Sequence, residues 1–395
     1  MEYVSAADVQ PGSPSPASPL TWLDSPLDER QKAVITRIAA AEHARILALP
    51  TDDPLDAKRR RRTEATWGEL ADQPGAVRRT WAANEKSLVA AAEVIAERGI
   101  DRVYLVGAGD SYAVMIAGRL ALQSALGVPV EAVQSLEFAY YQQPVLTGRT
   151  LVIALSSSGE TTRTVEAALV AQHAGALTLA LTNTLGSTLD EESLHTLRIE
   201  ATRVGWPTQS SSAALAVILK LAALVSASGT DDLDALPDLM ARVIQEASRP
   251  IAAIAERAVA ARMFLFSGGG PNLGAAMVGA AKVMECTPDH ALAIQVEEYH
   301  HYNSQKAGEP LWIFAPTGRS VPRAVDTARE AIRFGGHLYV ATTEGETAFA
   351  GITDDVLTLP SVPEALSPLL TFLPAQLMGY HVAMAKFAAA EASAT

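Results

Sequence analysis

The chain has 395 residues, 49% of them hydrophobic and 19% charged, and its 44 acidic against 31 basic residues give a formal net charge of −13. This acidic surplus disfavours nucleic-acid and anionic-membrane partners, which are bound by basic surfaces. The single cysteine, Cys286, excludes an intrachain disulfide and argues against a thiolate metal cluster. The N-terminus lacks a basic, apolar leader, and no apolar run reaches the ~20 residues that span a bilayer, so we expect a cytoplasmic protein.

The first 66 residues form an N-terminal extension. Residues 1–20 are rich in Pro, Ser and Ala, a composition that predicts disorder. Residues 21–49 carry apolar side chains at helical spacing. The basic run at residues 58–62 follows, and in so acidic a chain we interpret it as a solvated face or a partner contact rather than a nucleic-acid site.

From residue 103 onward, short apolar segments alternate with helical stretches, which predicts parallel sheet covered by helices. The first strand leads into the turn Gly107-Ala-Gly109. A dinucleotide-binding fingerprint would need a third glycine where Tyr112 stands, so the turn does not indicate a nicotinamide cofactor.

The strand pattern returns at an offset of 160 residues. Residues 103–109 align with 263–269, and the strand at 151–155 aligns with 311–315. Agreement at one offset through strands and turns predicts two tandem α/β domains of one fold, joined near Thr230.

The two copies differ where the third strand ends. The first copy has Ser156-Ser-Ser-Gly-Glu-Thr161, and the second has Pro316-Thr-Gly-Arg-Ser-Val321. Hydroxyls and backbone N–H groups at a helix N-terminus suit a phosphate, so we expect an anion site in the first copy only. The alternative is that the serines and threonine merely cap the helix.

Acid–base chemistry has two candidate locations. Glu285 ends a helix of small and apolar residues, where desolvation would raise its pKa, although a solvated helix-end carboxylate is an equal alternative. His300 and His301 form an adjacent pair in a segment dense in ionisable groups. An exposed acidic segment remains an alternative there, and the absence of an H-E-x-x-H spacing disfavours a metal site.

These motifs together resemble a known family. The chain is similar to the tandem sugar isomerase (SIS) domains of the isomerase half of glutamine–fructose-6-phosphate amidotransferase, and to related phosphosugar deaminases and deglycases. The resemblance runs from about Trp67 to Lys386. It rests on the phosphate-loop match at 155–161, with support from the helices at 69–74 and 374–381.

The resemblance implies an α/β fold with two tandem SIS domains, at residues 67–230 and 231–395. Each would be a mostly parallel five-stranded sheet flanked by helices, a flavodoxin-like three-layer sandwich. It also implies that the sugar phosphate is held by Ser111, Ser156, Ser158 and Thr161, with backbone contacts from Gly109 and Ser157.

The resemblance also assigns the catalytic groups. Glu285 falls on the family glutamate that moves a proton between C1 and C2, and His301 falls on the histidine that opens the sugar ring. That histidine comes from the neighbouring subunit, which implies a homodimer with shared active sites. The chemistry needs no metal and no cofactor.

Several residues depart from the family pattern. The glutaminase domain and the C-terminal lysine tail are missing, so we expect no glutamine-dependent amination. Asp110 replaces a threonine, Val278 replaces a glutamate, and the loop 203–209 is altered, which suggests a different sugar or a bulkier substituent. In that loop Trp206 either stacks on the substrate or belongs to the core.

The resulting prediction is a phosphosugar isomerase that acts on a ketose/aldose or amino-sugar phosphate, with or without coupled loss of an amine. The alternative from another functional class is a non-catalytic regulator that binds phosphosugars.

Overall fold

The computed structural model describes residues 21–22, 24–226, 231–302 and 305–394. The disorder predicted for residues 1–20 and the domain join predicted near Thr230 lie outside the described residues.

Four helices precede the first strand: α1 (Glu29–Ile46), α2 (Ala57–Ala71), α3 (Gln73–Ala83) and α4 (Glu85–Arg98). The helix predicted over residues 21–49 begins only at Glu29, because Asp28 caps it. The Asp28 carboxylate accepts from the N–H of Gln31, whose side chain accepts from the N–H of Asp28.

The first sheet contains five parallel strands in the order β2-β1-β3-β4-β5. Its strands are β1 (Arg102–Gly107), β2 (Val130–Gln134), β3 (Thr150–Leu155), β4 (Leu177–Thr182) and β5 (Thr196–Arg198). The helices of this part of the chain are α5 (Asp110–Leu126), α6 (Ser135–Tyr141), α7 (Thr162–His173), α8 (Thr188–Glu191) and α9 (Gln209–Ser226). Strands β3 and β4 are buried along their whole length, as expected when helices cover both faces of a parallel sheet.

The second sheet has the same parallel order, β7-β6-β8-β9-β10. Its strands are β6 (Met263–Gly268), β7 (His290–Gln295), β8 (Pro310–Ala315), β9 (His337–Thr343) and β10 (Val356–Leu359). The remaining helices are α10 (Asp231–Asp234), α11 (Leu236–Arg257), α12 (Leu273–Cys286), α13 (Val321–Arg333) and α14 (Pro368–Ala394). The two parallel five-stranded sheets flanked by helices confirm the predicted fold class.

Close helix packing brings the two halves together. A Cβ on Gly274 of α12 would lie 2.6 Å from the carbonyl oxygen of Ala113 on α5, and a Cβ on Gly379 of α14 would lie 2.5 Å from the Cβ of Lys282. Glycine is therefore needed at both crossings, and α12 is held tightly between α5 and α14.

Helix α9 is long and apolar enough to span a membrane by length and composition alone. In the structure 72% of it is buried, and its residues belong to the main hydrophobic core. A buried core helix explains this apolar sequence without a membrane.

Candidate active site

The predicted phosphate residues lie in the segments that follow the carboxyl ends of β1 and β3. Strands β1 and β3 are adjacent and parallel, so the loops that follow them lie side by side. The first loop needs glycine twice. Gly109 has a φ of +56°, and a Cβ on Gly107 would lie 2.7 Å from the backbone carbon of Ser111. This turn places Ser111 in the first turn of α5.

Residues 156–161 follow β3 and form what we term the hydroxyl loop, because their hydroxyls bond to one another. The oxygen Oγ of Ser156 lies 2.8 Å from Oγ1 of Thr161 and 3.4 Å from Oγ of Ser158, which also accepts from the N–H of Glu160 at 3.1 Å. Thr161 is the N-cap residue of α7, yet its side chain makes no capping hydrogen bond. Capping therefore does not explain Thr161. Its hydroxyl bonds instead to that of Ser156, and such hydroxyls can rotate to donate hydrogen bonds to an anion at the start of the helix.

Gly159 fixes the shape of this loop. It has a φ of +67°, and an added Cβ would lie 1.8 Å from Oγ of Ser187. Only glycine fits, so Ser187 can pack directly against the loop backbone.

Helix α1 of the N-terminal extension packs against the same loop. One carboxylate oxygen of Glu42 accepts from the Thr162 hydroxyl at 2.5 Å and from its N–H at 3.3 Å. Arg45 donates to the backbone oxygen of Glu160 at 3.2 Å. The extension is thus part of the site's surroundings, although it lies outside the family resemblance.

Glu285 lies in a cluster of charges between the two halves. The ammonium of Lys282 donates to Asp110 Oδ2 at 2.6 Å and also to Glu285 Oε2. Lys282 is buried, whereas 29% of the Glu285 side chain is exposed. The alternative of a solvated helix-end carboxylate is therefore wrong. Glu285 is a paired and only partly exposed carboxylate.

The pKa values follow from this arrangement. Burial raises the pKa of Glu285 to about 7. Attraction to Lys282 opposes this rise, and repulsion from Asp110 adds to it. Burial lowers the pKa of Lys282, but attraction to Asp110 and Glu285 outweighs it and leaves that pKa above its usual range. Lysine therefore stays charged while Glu285 can take up and release a proton near neutral pH.

Lys282 and the pairing role of Asp110 were not predicted from the sequence. A signal was present, because Lys282 is the single basic residue of α12 and stands three positions before Glu285. Residues three apart share a helix face, so a lone lysine there can reach the carboxylate.

The two adjacent histidines differ in their surroundings. His300 is held at both ring nitrogens, 2.9 Å from Glu330 Oε2 and 3.0 Å from Thr327 Oγ1. His301 is 60% exposed, and its charged neighbour is Glu297 at 3.6 Å. Among the described residues, Glu285 pairs with Lys282 and not with a histidine. One chain therefore does not bring the two predicted catalytic residues into contact.

The basic run is not a uniform solvated face. Arg59 is buried, and the guanidinium carbon of Arg62 lies 4.0 Å from the centre of the Trp206 ring. Trp206 is itself buried, and its N–H donates to the Thr63 hydroxyl at 3.1 Å. The run therefore contributes to the fold, and Trp206 is a core residue whose face is covered by Arg62 rather than by a substrate.

An apolar cavity of about 250 Å³ lies elsewhere, next to Cys286 and Asp289. Its lining includes neither the hydroxyl loop nor Glu285. The Asp289 carboxylate is already paired with Lys386 at 2.8 Å and Arg262 at 3.0 Å, so the cavity offers few groups for recognising a polar ligand.

Known proteins are similar to this chain in sequence and in fold. The SIS domain family profile matches residues 97–224. A glutamine–fructose-6-phosphate aminotransferase [isomerizing] of Pyrococcus horikoshii is 29% identical over 329 residues, which cover 80% of this chain and 54% of that protein. The chain thus spans about half the length of the curated relatives it matches.

Solved structures extend the similarity to the fold. The C-terminal domain of glucosamine-fructose-6-phosphate aminotransferase from Francisella tularensis superposes with a TM-score of 0.72 at 21% identity, covering 80% of this chain and 95% of that one. Glucosamine-6-phosphate deaminase from Thermotoga maritima gives a TM-score of 0.66 at 22% identity, covering 81% and 94%. The chain contains a SIS domain and is homologous to the isomerase domain of the glutamine–fructose-6-phosphate aminotransferases.

Proposed function

We propose that this protein is an isomerase of a ketose/aldose or amino-sugar phosphate that transfers a proton between C1 and C2, with or without coupled loss of an amine. The observation that carries the proposal is the Asp110–Lys282–Glu285 cluster. Asp110 is followed directly by Ser111, so the cluster adjoins the predicted phosphate residues.

The phosphate would bind at the start of α7. The hydroxyls of Ser156, Ser158 and Thr161 donate to its oxygens, and the positive end of the helix dipole favours the charge. Ser111, in the first turn of α5, adds a fourth hydroxyl. This anchors one end of an open-chain sugar and leaves the carbonyl end to reach Glu285.

The proton transfer would belong to Glu285. Its carboxylate removes the proton from the carbon beside the carbonyl, and the electron pair forms an enediolate. A proton then passes from one enediolate oxygen to the other, and the carboxylic acid returns its proton to the neighbouring carbon, which was the carbonyl carbon. Charged Lys282, held by Asp110, offsets the negative charge that develops nearby. If C1 or C2 carries an amine, the same step gives an enamine whose hydrolysis would release it.

Ring opening would need a second subunit. His301 is exposed and lies apart from Glu285 within one chain, so we propose a cytoplasmic homodimer in which His301 of a neighbouring subunit completes the site. A histidine side chain can act as general acid and base in ring opening.

The test is washout of the C1 or C2 hydrogen in deuterated water, followed by NMR with a panel of hexose and hexosamine 6-phosphates. We expect washout with at least one member, and we expect Glu285→Gln to abolish it. The control is Glu246→Gln, which makes the same change on an exposed part of α11 and should leave washout unchanged.

Amine release, glutamine dependence and binding, measured beside the washout, distinguish the remaining alternatives. Release of ammonia or an amine with washout indicates a deaminase or deglycase, and washout alone indicates an isomerase. Turnover that requires glutamine would contradict the expectation of no amidotransferase activity. Saturable phosphosugar binding without washout in the wild-type protein would favour the regulator instead.

A further inference from the structure

Three arginines from separate segments converge beside the hydroxyl loop: Arg45 of α1, Arg62 of α2 and Arg203 of the altered loop 203–209. Arg203 donates to the backbone oxygen of Ser157 at 3.2 Å, and Arg45 donates to that of Glu160 at 3.2 Å. Both arginines thus touch the backbone of the predicted phosphate loop.

The three charges act on one another. Partial removal from water, and then repulsion from Arg45 and Arg62, lower the pKa of Arg203. Within the described ranges, none of the three forms an ion pair with a carboxylate. Attraction to the Glu69 carboxylate offsets this repulsion only in part, so a bound anion would further stabilise the three like charges.

Local contacts hold the arginines in place. The Glu69 carboxylate accepts from the N–H groups of Val204 and Gly205, at 2.5 and 2.9 Å, which fixes the loop that carries Arg203. Arg62 covers the Trp206 ring and donates to the backbone oxygen of Gly205 at 3.2 Å. The cluster is therefore built by the fold, and most guanidinium N–H groups remain available to a ligand.

Arg62 is the arginine of this cluster whose charge acts on Glu285, the proposed base. The positive charge of Arg62 partly counteracts the rise in the pKa of Glu285, whereas Arg203 donates to the backbone of the phosphate loop. The arginines thus extend from the phosphate loop toward the proposed base. The hydroxyls and the helix N-terminus already suit one phosphate, which leaves the arginines for another charge.

We propose that Arg45, Arg62 and Arg203 form a second anion subsite, which selects sugar phosphates that carry an additional anionic group near C1 or C2. Such a group is either a carboxylate on a substituent or a second phosphate, and guanidinium binds both through paired hydrogen bonds. The inference rests on the proposed phosphosugar function and assigns the N-terminal extension a role in specificity.

The test compares matched ligands by calorimetry on the full chain at low salt. The probes are 1-amino-1-deoxyfructose 6-phosphate with an N-ethyl group, the same compound with an N-carboxymethyl group, and fructose 6-phosphate beside fructose 1,6-bisphosphate. We expect about tenfold tighter binding of at least one probe with the additional anion, and the pair that shows it identifies carboxylate or phosphate.

The variants Arg62→Gln and Arg203→Gln should each remove most of this preference, with a clearly smaller loss of affinity for fructose 6-phosphate than for the probe with the additional anion. Glutamine keeps a planar group over Trp206. Arg61→Gln, on the exposed side of the same helix, removes the same charge and should change nothing.

Three results would overturn the inference. Equal affinity within each ligand pair would show that there is no second subsite, while the proposed function would stand if fructose 6-phosphate binds. An equal loss of affinity for all probes in the variants would show that the arginines serve only the first phosphate. Failure of every probe to bind wild-type protein would remove the proposed function as well.

Discussion

The loops that follow the third strand of each sheet differ in what fills them. In the first sheet, the hydroxyls of Ser156 and Thr161 face each other at the start of α7. In the second sheet, the N–H of Arg319 already donates to the Glu364 carboxylate at 3.0 Å, and a Cβ on Gly318 would lie 2.4 Å from the same carboxylate oxygen. In the second loop a backbone N–H donates to a carboxylate of the chain itself, whereas in the first loop the two hydroxyls bond to each other and can turn to a ligand.

This difference indicates a division of labour between two similar halves. In the proposed mechanism the first half supplies the anion site, and α12 of the second half supplies Lys282 and Glu285. Asp110 of the first half joins the two by its bond to Lys282. Substitutions in one half at a time should therefore separate binding from proton transfer.

The largest effect is expected from Lys282→Met. It leaves Asp110 and Glu285 without the buried cation between them, so the pKa of Glu285 rises further and less of it is ionised at pH 7. We expect kcat to fall by about 100-fold and the free energy of unfolding by about 3 kcal/mol. Kinetics and urea unfolding measure the two. Lys220→Met, which breaks the more exposed pair with Asp234, is the control, and near-normal turnover of Lys282→Met would contradict the account.

The double variant Ser156→Ala/Thr161→Ala should weaken the binding of phosphorylated sugars by about 10- to 100-fold, since two hydrogen bonds to a charged group are lost. Unphosphorylated sugars should bind as before. The matched control, Thr317→Ala/Ser320→Ala in the second loop, should leave affinity unchanged. Equal losses from both loops, measured by calorimetry, would contradict the division of labour.

The pH dependence gives a smaller and more specific effect. Because the base must be ionised and its pKa is about 7, kcat/KM should rise as the pH increases through about 7. Asp110→Asn removes the repulsion that raises this pKa, so the rise should move to lower pH by about one unit. The exposed Asp238→Asn is the control. A rise at unchanged pH in Asp110→Asn would mean that Asp110 does not act on Glu285.

The smallest effect is expected from Glu364→Ala. It removes the carboxylate that accepts from Arg319, so the free energy of unfolding should fall by about 1 kcal/mol, as measured by urea denaturation. Phosphosugar affinity should not change, because the proposed ligand site lies in the other loop. A loss of affinity would place the ligand at the second loop.

The central strands, such as β3 and β8, could be predicted from the sequence because they are continuous apolar segments, as expected for buried parallel strands. The sequence also located the hydroxyl loop, since three serines, a glycine and a threonine between a strand and a helix exceed what one cap requires.

Other parts of the site depend on tertiary contacts that no local pattern records. From the sequence alone Lys282 would be expected to be solvated, whereas in the structure the packing of α14 at Gly379 buries it. Arg62 belongs to a run typical of a charged surface, and only the fold places it over Trp206. The difference between His300 and His301 likewise arises from Glu330 and Thr327 on α13.

The most direct test of the division of labour is the Kd of one phosphosugar substrate, identified by the washout assay, for two variants side by side. Glu285→Gln should bind it within about threefold of wild type, because it changes the base and not the anchor, whereas Ser156→Ala/Thr161→Ala should bind it at least about tenfold more weakly. The reverse order, with affinity lost in Glu285→Gln and kept in the loop variant, would contradict the account.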